Sequence, residues 1–134
     1  MTLPRIFLAD DQDEMLQTVA QILEPDFNLV GTAQDGQRVL QLVPSLFADI
    51  LILDICMPLM NGIEVARHLK EDGSVAKVVF LTANDDADFV EAAMSAGALG
   101  YVLKPRLATD LIPAIWNAME GRTFVSPCVH QPAR

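Results

Sequence analysis

The sequence predicts an α/β domain in which one parallel sheet is covered by helices on both faces. Three observations carry this. Four short runs are apolar almost throughout, the segments between them repeat apolar residues at helical spacing, and only a few residues join one element to the next. Strands buried on both faces need side chains that are apolar in both directions. Parallel neighbours need a crossover, which a helix supplies. The 134 residues suit a single core, because a domain usually holds about 100 to 150 residues and two halves would each be too short.

Taken in order, the runs from Arg5 to Ala9 (RIFLA), Asp49 to Leu53 (DILIL), Lys77 to Leu81 (KVVFL) and Leu99 to Leu103 (LGYVL) are the buried strands. The run from Phe27 to Ala33 (FNLVGTA) alternates more, as an edge strand does. Helical spacing joins Met15, Val19, Ile22 and Leu23, then Val39, Leu40 and Val43, then Ile63, Val65, Ala66 and Leu69, then Phe89, Val90, Ala93 and Met94. A fifth helix is expected from Thr109 to Glu120, with Leu111, Ile112, Ile115, Ala118 and Met119. With Thr109 as its cap, Pro113 falls at the fourth helical position and removes a backbone bond, so this helix is expected to start late or bend. Trp116 falls off its core stripe and is expected to be exposed. Gly73 and Gly97 read as left-handed helix stops. After Gly121 the periodicity ends and two prolines appear, so the domain is placed at 1–121 and a linker stub or flexible tail at 122–134.

Composition narrows the function. Hydrophobic residues make up 51% and charged residues 20%, too apolar for a disordered chain. No apolar run approaches the ~18 residues of a spanning helix, and the start, Met1 to Arg5, does not read as a signal peptide. A cytoplasmic location without membrane contact is expected. Eighteen acidic against nine basic residues give a net charge of −9, which opposes direct nucleic-acid contact by this domain and suits a cation. Cys56 and Cys128 have no C-x-x-C spacing and read as reduced thiols.

The chemistry is expected at the carboxyl ends of the strands, where open parallel sheets bind ligands. Asp10 and Asp11 follow the first buried run, Asp54 the second, Thr82 the third and Lys104 the fourth. Singly, Asp11 or Asp13 would serve as a helix cap and Lys104 as a surface charge. Together they differ. Three carboxylates at one rim repel by roughly 4 kcal/mol per close pair at an intermediate dielectric, so positive charge must compensate, either Lys104 or a hard cation such as Mg²⁺.

Asp10-Asp11, the segment DICMPLMNG from Asp54 to Gly62, Thr82-Ala83, Gly100-Tyr101 and Lys104-Pro105 resemble, in order and spacing, the motifs of response-regulator receiver domains of two-component signalling. The resemblance spans about Pro4 to Gly121. It implies a flavodoxin-like fold with strand order 2-1-3-4-5 and places the phosphorylation site at Asp54. Asp54 would attack a phosphoryl group carried by a sensor histidine kinase or a small phosphodonor. Mg²⁺ would be held by Asp10, Asp11, Asp54 and the backbone carbonyl of Cys56. Lys104, the Thr82 hydroxyl and the Ala83 N–H would stabilise the phosphoryl oxygens. Thr82 and Tyr101 would form the switch, the ring swinging inward on phosphorylation, and Cys56 and Asn84 would tune the lifetime of the phosphate. Pro58 and Gly62 would shape the loop after Asp54, and Pro105 would follow a cis peptide that aims Lys104 inward.

The expected protein is therefore a switch that catalyses only its own phosphorylation and dephosphorylation, with a homodimer possible on phosphorylation. The tail GRTFVSP resembles the segment that precedes a LuxR-type helix-turn-helix output domain, which would make the chain a truncated regulator or a stand-alone receiver. An alternative is a Mg²⁺-dependent phosphohydrolase of the haloacid-dehalogenase type, for which Asp11-Gln-Asp13 offers the D-x-D spacing but which leaves Asp54 without a task. A flavin-binding electron carrier would share the fold, yet it needs a hydroxyl- and glycine-rich phosphate loop where this chain has two carboxylates. His68 reads as a solvated helix residue, and His130 has no partners in the tail.

Overall fold

A computed structural model describes residues 3–127; Cys128 and His130 lie outside them. The chain alternates β1 (Arg5–Ala9), α1 (Asp13–Leu23), β2 (Asn28–Ala33), α2 (Gly36–Leu42), β3 (Ile50–Leu53), α3 (Gly62–Glu71), β4 (Lys77–Thr82), α4 (Ala87–Ser95), β5 (Gly100–Leu103), α5 (Leu107–Met119) and β6 (Phe124–Val125). All strand pairs are parallel, in the order β2-β1-β3-β4-β5-β6. This is the flavodoxin-like arrangement that the sequence implies, with one strand added beside β5.

Strand alternation divides the core. Phe7, Leu51, Leu53, Phe80 and Tyr101 point to the face covered by α2, α3 and α4, where they meet Val39, Val65, Ala66 and Ala93. Their neighbours Ile6, Leu8, Ile52, Leu81 and Val102 point the other way and pack on Val19 and Leu23 of α1 and Leu111 and Ile115 of α5. Burying both faces explains why the central strands read as unbroken apolar runs. β2 sits at the edge, as its alternation predicts.

Helix starts are capped in three places. Asp35 accepts from Arg38 N–H, Asn61 forms a capping box with Glu64, and Asp86 accepts from Asp88 N–H. Neither Asp11 nor Asp13 caps α1: Gln12 occupies the cap position without a side-chain bond. Gly73 and Gly97 have φ of +86° and +98°, the expected left-handed stops. Among the described residues no helix is long and apolar enough to cross a membrane. Trp116 is 45% exposed, its ring centroid 5.1 Å from that of Phe27.

Two expectations about the C-terminal third are corrected. α5 begins at Leu107, two residues before the expected cap, so it does not start late, and Pro113 lies well inside it. A one-turn 3-10 helix, Lys104–Arg106, leads directly into α5. The fixed φ of Pro105 starts the turn, which removes the need for a hydroxyl cap. Thr109 Oγ1 instead donates to Asp110 Oδ1 at 3.0 Å, with the Arg106 carbonyl at 3.3 Å as the alternative acceptor.

The second correction concerns the tail. Phe124–Val125, expected within a linker stub, forms β6. Phe124 N–H donates to the Leu99 carbonyl at 2.8 Å and Ser126 N–H to that of Tyr101 at 2.9 Å. Two residues are too few for a periodicity, so the signal lies in polar partners. Buried Ser126 Oγ accepts from Leu103 N–H at 3.1 Å and donates to Asp110 Oδ2 at 2.7 Å, the oxygen that also takes Arg106 Nε at 2.8 Å. Burial alone would raise the Asp110 carboxyl, but hydrogen bonds from Arg106, Ser126 and Thr109 hold it below its ordinary value.

Replacing Ser126 strands the buried Leu103 N–H and removes one of the two donors to Asp110 Oδ2, so Ser126→Ala should lower the unfolding free energy by about 1–3 kcal/mol in urea denaturation. Because the folded-state carboxyl is depressed, its contribution is complete above the ordinary value of 3.8 and is lost as pH falls through the folded value. The stability difference between wild type and Asp110→Asn should accordingly hold from neutral pH down to that region and shrink below it.

Candidate functional site

The register of the sheet assembles the rim. Ala9 pairs with Leu53 and Thr82 with Leu103, so the residues that follow these strands emerge side by side. The ladder continues into them: Asp10 N–H donates to the Ala33 carbonyl at 3.1 Å and Asp54 N–H to that of Ala9 at 3.0 Å. Asp10 and Asp54 are 1% and 4% exposed, whereas Asp11 faces solvent. One carboxylate oxygen from each of the three lies within 4.8 Å of the others.

Lys104 bridges the buried pair. Its Nζ donates to Asp54 Oδ2 at 2.9 Å and stands 2.9 Å from Asp10 Oδ2. Burial works against the ammonium, yet its bonds to the two carboxylates raise its pKa, and it stays charged. Burial, reinforced by the charge of Asp54, raises Asp10 above the ordinary carboxylate value, while Lys104 and the Gln12 N–H pull the other way. One cation thus faces three carboxylates. Asp10 Oδ2 is ion-paired with the ammonium and, among the described residues, has no hydrogen-bond partner. An oxygen-only donor set with an unsatisfied buried lone pair fits a hard divalent cation.

The family model for the response regulator receiver domain matches residues 6–115. The chain belongs to that family. It is 37% identical over 125 residues to the uncharacterized transcriptional regulatory protein YvfU of Bacillus subtilis, covering 92% of this chain and 62% of that protein. Among solved structures, a LuxR-family two-component response regulator from Aurantimonas superposes with a TM-score of 0.90 at 29% identity, covering 96% of this chain and 93% of that one. The isolated REC domain of RcsB from Salmonella enterica, in the presence of phosphomimetic BeF3−, gives 0.87 at 27%, with coverage of 96% of both chains. The chain spans 54% to 62% of the length of curated relatives such as these regulators. As a receiver domain it is a phosphorylation-controlled switch. The phosphohydrolase alternative finds no support: Asp13, half of its D-x-D spacing, lies outside the acidic cluster and accepts from Gln34.

Within this receiver, the loop after Asp54 is shaped by close approach. Gly62 N–H donates to the Ile55 carbonyl at 2.8 Å, and a Cβ on Gly62 would stand 2.2 Å from the Asp54 carbonyl oxygen. Pro58 turns the chain: its carbonyl accepts from Met60 N–H at 2.8 Å across a γ-turn, with Leu59 at φ +70°, and also from Gly36 N–H at 3.3 Å. A non-glycine residue in that region is strained, and such strain gathers at functional sites. Asp54 Oδ1 accepts from Cys56 N–H at 3.3 Å, and the Cys56 side chain is exposed.

Thr82 is buried, its Oγ1 accepting from Asn84 N–H at 3.3 Å, and Ala83 beside it is exposed. Tyr101 is fully buried and donates its hydroxyl to the Asn84 carbonyl at 2.6 Å. Burial, then the nearby Cys56, Asp85, Asp86 and Asp54, raise its phenol above the ordinary value. The ring already holds the inward position that the resemblance assigns to the phosphorylated form. His68 is exposed on α3, as expected.

One site expectation is overturned. The peptide bond before Pro105 is trans, as are all those described. Pro105 occupies the start of the 3-10 turn, where a trans bond and its fixed φ suit helical geometry, and the lysine reaches both carboxylates from there. The sequence reading also missed Asp110 and Ser126. A signal was present: Asp110 shares a helical stripe with Leu107, Leu111 and Ala114, where a carboxylate demands a partner, and Arg106 lies one turn before it.

Gly62→Ala should force the Asp54 backbone aside. Overpacking of this kind costs about 1–3 kcal/mol, visible as a lower unfolding midpoint, and the amide resonances of Asp54 and Ile55 should move more than those of β1.

Proposed function

We propose that this receiver accepts a phosphoryl group on Asp54 from the phosphohistidine of a sensor histidine kinase, or from a small phosphodonor, in a Mg²⁺-dependent reaction. The observation that carries the reading is the Lys104 ammonium 2.9 Å from both Asp54 and Asp10 within a three-carboxylate cluster. An Asp54 oxygen forms the new bond to phosphorus while the P–N bond breaks and its electron pair leaves with the imidazole, which takes up a proton. Asp10, Asp11, Asp54 and the Cys56 carbonyl are the oxygens suited to Mg²⁺, which when bound would offset charge on the phosphoryl oxygens. Lys104, Thr82 Oγ1 and the Ala83 N–H would take those oxygens.

Thr82 and Tyr101 are the movable parts of the switch. Thr82 can give up its contact with Asn84 for a phosphoryl oxygen, and Asn84 also anchors the Tyr101 hydroxyl, so one residue links both side chains. A shift at Thr82 is then felt along α4 and β5. The domain catalyses only its own phosphorylation and dephosphorylation. We read it as cytoplasmic, as a possible homodimer once phosphorylated, and as making no nucleic-acid contact itself, in keeping with its net charge of −9. We place the switch at residues 1–121 together with the docked segment Phe124–Ser126.

Incubation with acetyl phosphate and Mg²⁺ should add one phosphoryl group by intact mass spectrometry, and omission of Mg²⁺ or the change Asp54→Asn should prevent it. Labelling that persists in Asp54→Asn would assign another acceptor. Asp11→Ala should weaken Mg²⁺ affinity by about tenfold or more in a direct titration, the loss of one charged ligand. Lys104→Arg replaces a compact ammonium with a wide planar fork. It should retain Mg²⁺ binding yet lose the amide shifts that beryllofluoride induces between Thr82 and Leu103 in wild type.

A further inference from the structure

A buried network outside the phosphoryl site grips the stretch of backbone that carries Lys104. On its N-terminal side, Leu103 N–H donates to Ser126 Oγ at 3.1 Å. On its C-terminal side, Arg106 Nε donates to Asp110 Oδ2 at 2.8 Å, and Ser126 Oγ donates to that same oxygen at 2.7 Å. Between the two anchors lie only Lys104 and Pro105, and the proline ring fixes its own φ. The lysine side chain reaches Asp10 and Asp54 from a backbone segment held at both ends.

We propose that Asp110 and Ser126 are positioning residues for Lys104, so that docking of the C-terminal strand β6 and phosphoryl transfer at Asp54 are coupled. This rests on the assignment of Asp54 and Lys104 above and adds how that site is regulated. Ser126 lies beyond the residues matched by the family model, 6–115, and its hydroxyl joins Leu103 and Asp110, which stand on either side of the turn that carries Lys104. Backbone pairing also joins the segment to the sheet, Phe124 N–H donating to the Leu99 carbonyl and Ser126 N–H to that of Tyr101 in β5. The hydroxyl goes instead to the two elements that flank the lysine. Misplacing a reacting group by a fraction of an ångström slows its reaction steeply. Coupling is also reciprocal at equilibrium: if the docked strand favours the productive position of Lys104, engagement of Lys104 in that position must stabilise the docked strand.

The test has two arms on the full chain. In the first, autophosphorylation by acetyl phosphate is timed for wild type, Ser126→Ala and Val19→Ala, the last hollowing the core at α1 as a control for lost stability. Ser126→Ala should be roughly fivefold to tenfold slower at unchanged Mg²⁺ affinity, and Val19→Ala should match wild type at temperatures where both are folded. In the second, beryllofluoride with Mg²⁺ is added to wild type, and amide exchange at Leu103, Phe124 and Ser126 should change by about fivefold or more. This arm needs no variant to fold. A wild-type rate in Ser126→Ala, an equal slowing in Val19→Ala, or unaltered exchange at the three amides would each overturn the coupling while leaving Asp54 as acceptor. Failure of wild type to be labelled at all would overturn the acceptor assignment and the coupling with it.

Discussion

The ammonium of Lys104 holds together a rim that would otherwise repel itself. Asp10 and Asp54 are both buried and directly follow the adjacent strands β1 and β3, so the β1–β3 ladder fixes how closely their backbones approach. At an effective dielectric of about 20, such a pair at close range repels by roughly 4 kcal/mol. Lys104, reaching in from the end of β5, meets both at 2.9 Å. It neutralises one charge and leaves a surplus, since Asp11 adds a third carboxylate to the same cluster. That imbalance leaves net negative charge at the rim, a donor set of the kind that suits a hard cation. The raised pKa of Asp10, dominated by burial, reflects the same tension.

The apolar strands serve that rim. Because β1, β3, β4 and β5 are buried on both faces, their ends are fixed in depth and register, and the polar residues that follow have little freedom. The loops then need unusual backbone to pass so close. Gly62 lies against the Asp54 carbonyl where a Cβ would stand 2.2 Å away, and Leu59 adopts φ +70° in the tight turn between them. Both features hold the carboxylate of Asp54 at the open end of the sheet while the chain doubles back into α3.

Strand and helix identities were legible because each long element repeats one physical pattern: unbroken apolarity for the inner strands, a period near 3.6 for the helices. The acidic pair, Asp54, Thr82 and Lys104 were legible because each directly follows such a strand. Features set by single contacts were not. β6 is two residues long and is held by backbone pairing and one serine, which leaves no periodicity to detect. The start of α5 depends on a proline-led 3-10 turn, so Thr109, a good cap by residue type, lies inside the helix. The trans bond before Pro105 shows the same limit, because isomer choice follows the local turn and not the residue pair. The inward Tyr101 depends on one acceptor, the Asn84 carbonyl, that no spacing rule identifies.

β5 is where these constraints meet. Its end carries Lys104, its Tyr101 side chain reaches Asn84 behind Thr82, and its outer edge pairs with β6. The side chain and carbonyl of Tyr101 serve different partners: the hydroxyl holds the β4–α4 loop while the carbonyl accepts Ser126 N–H. In a close-packed interior a strand cannot shift at one of these points and stay still at the others, because the side chains on either face have no free volume to absorb the motion. Asp54 Oδ2 meets Lys104, which directly follows β5, and β5 is joined to β4 by the pair Thr82 and Leu103. β4 and β5 separate β6 from β3, which leads into Asp54, so the C-terminal segment meets the rim through β5, the strand that leads into the lysine.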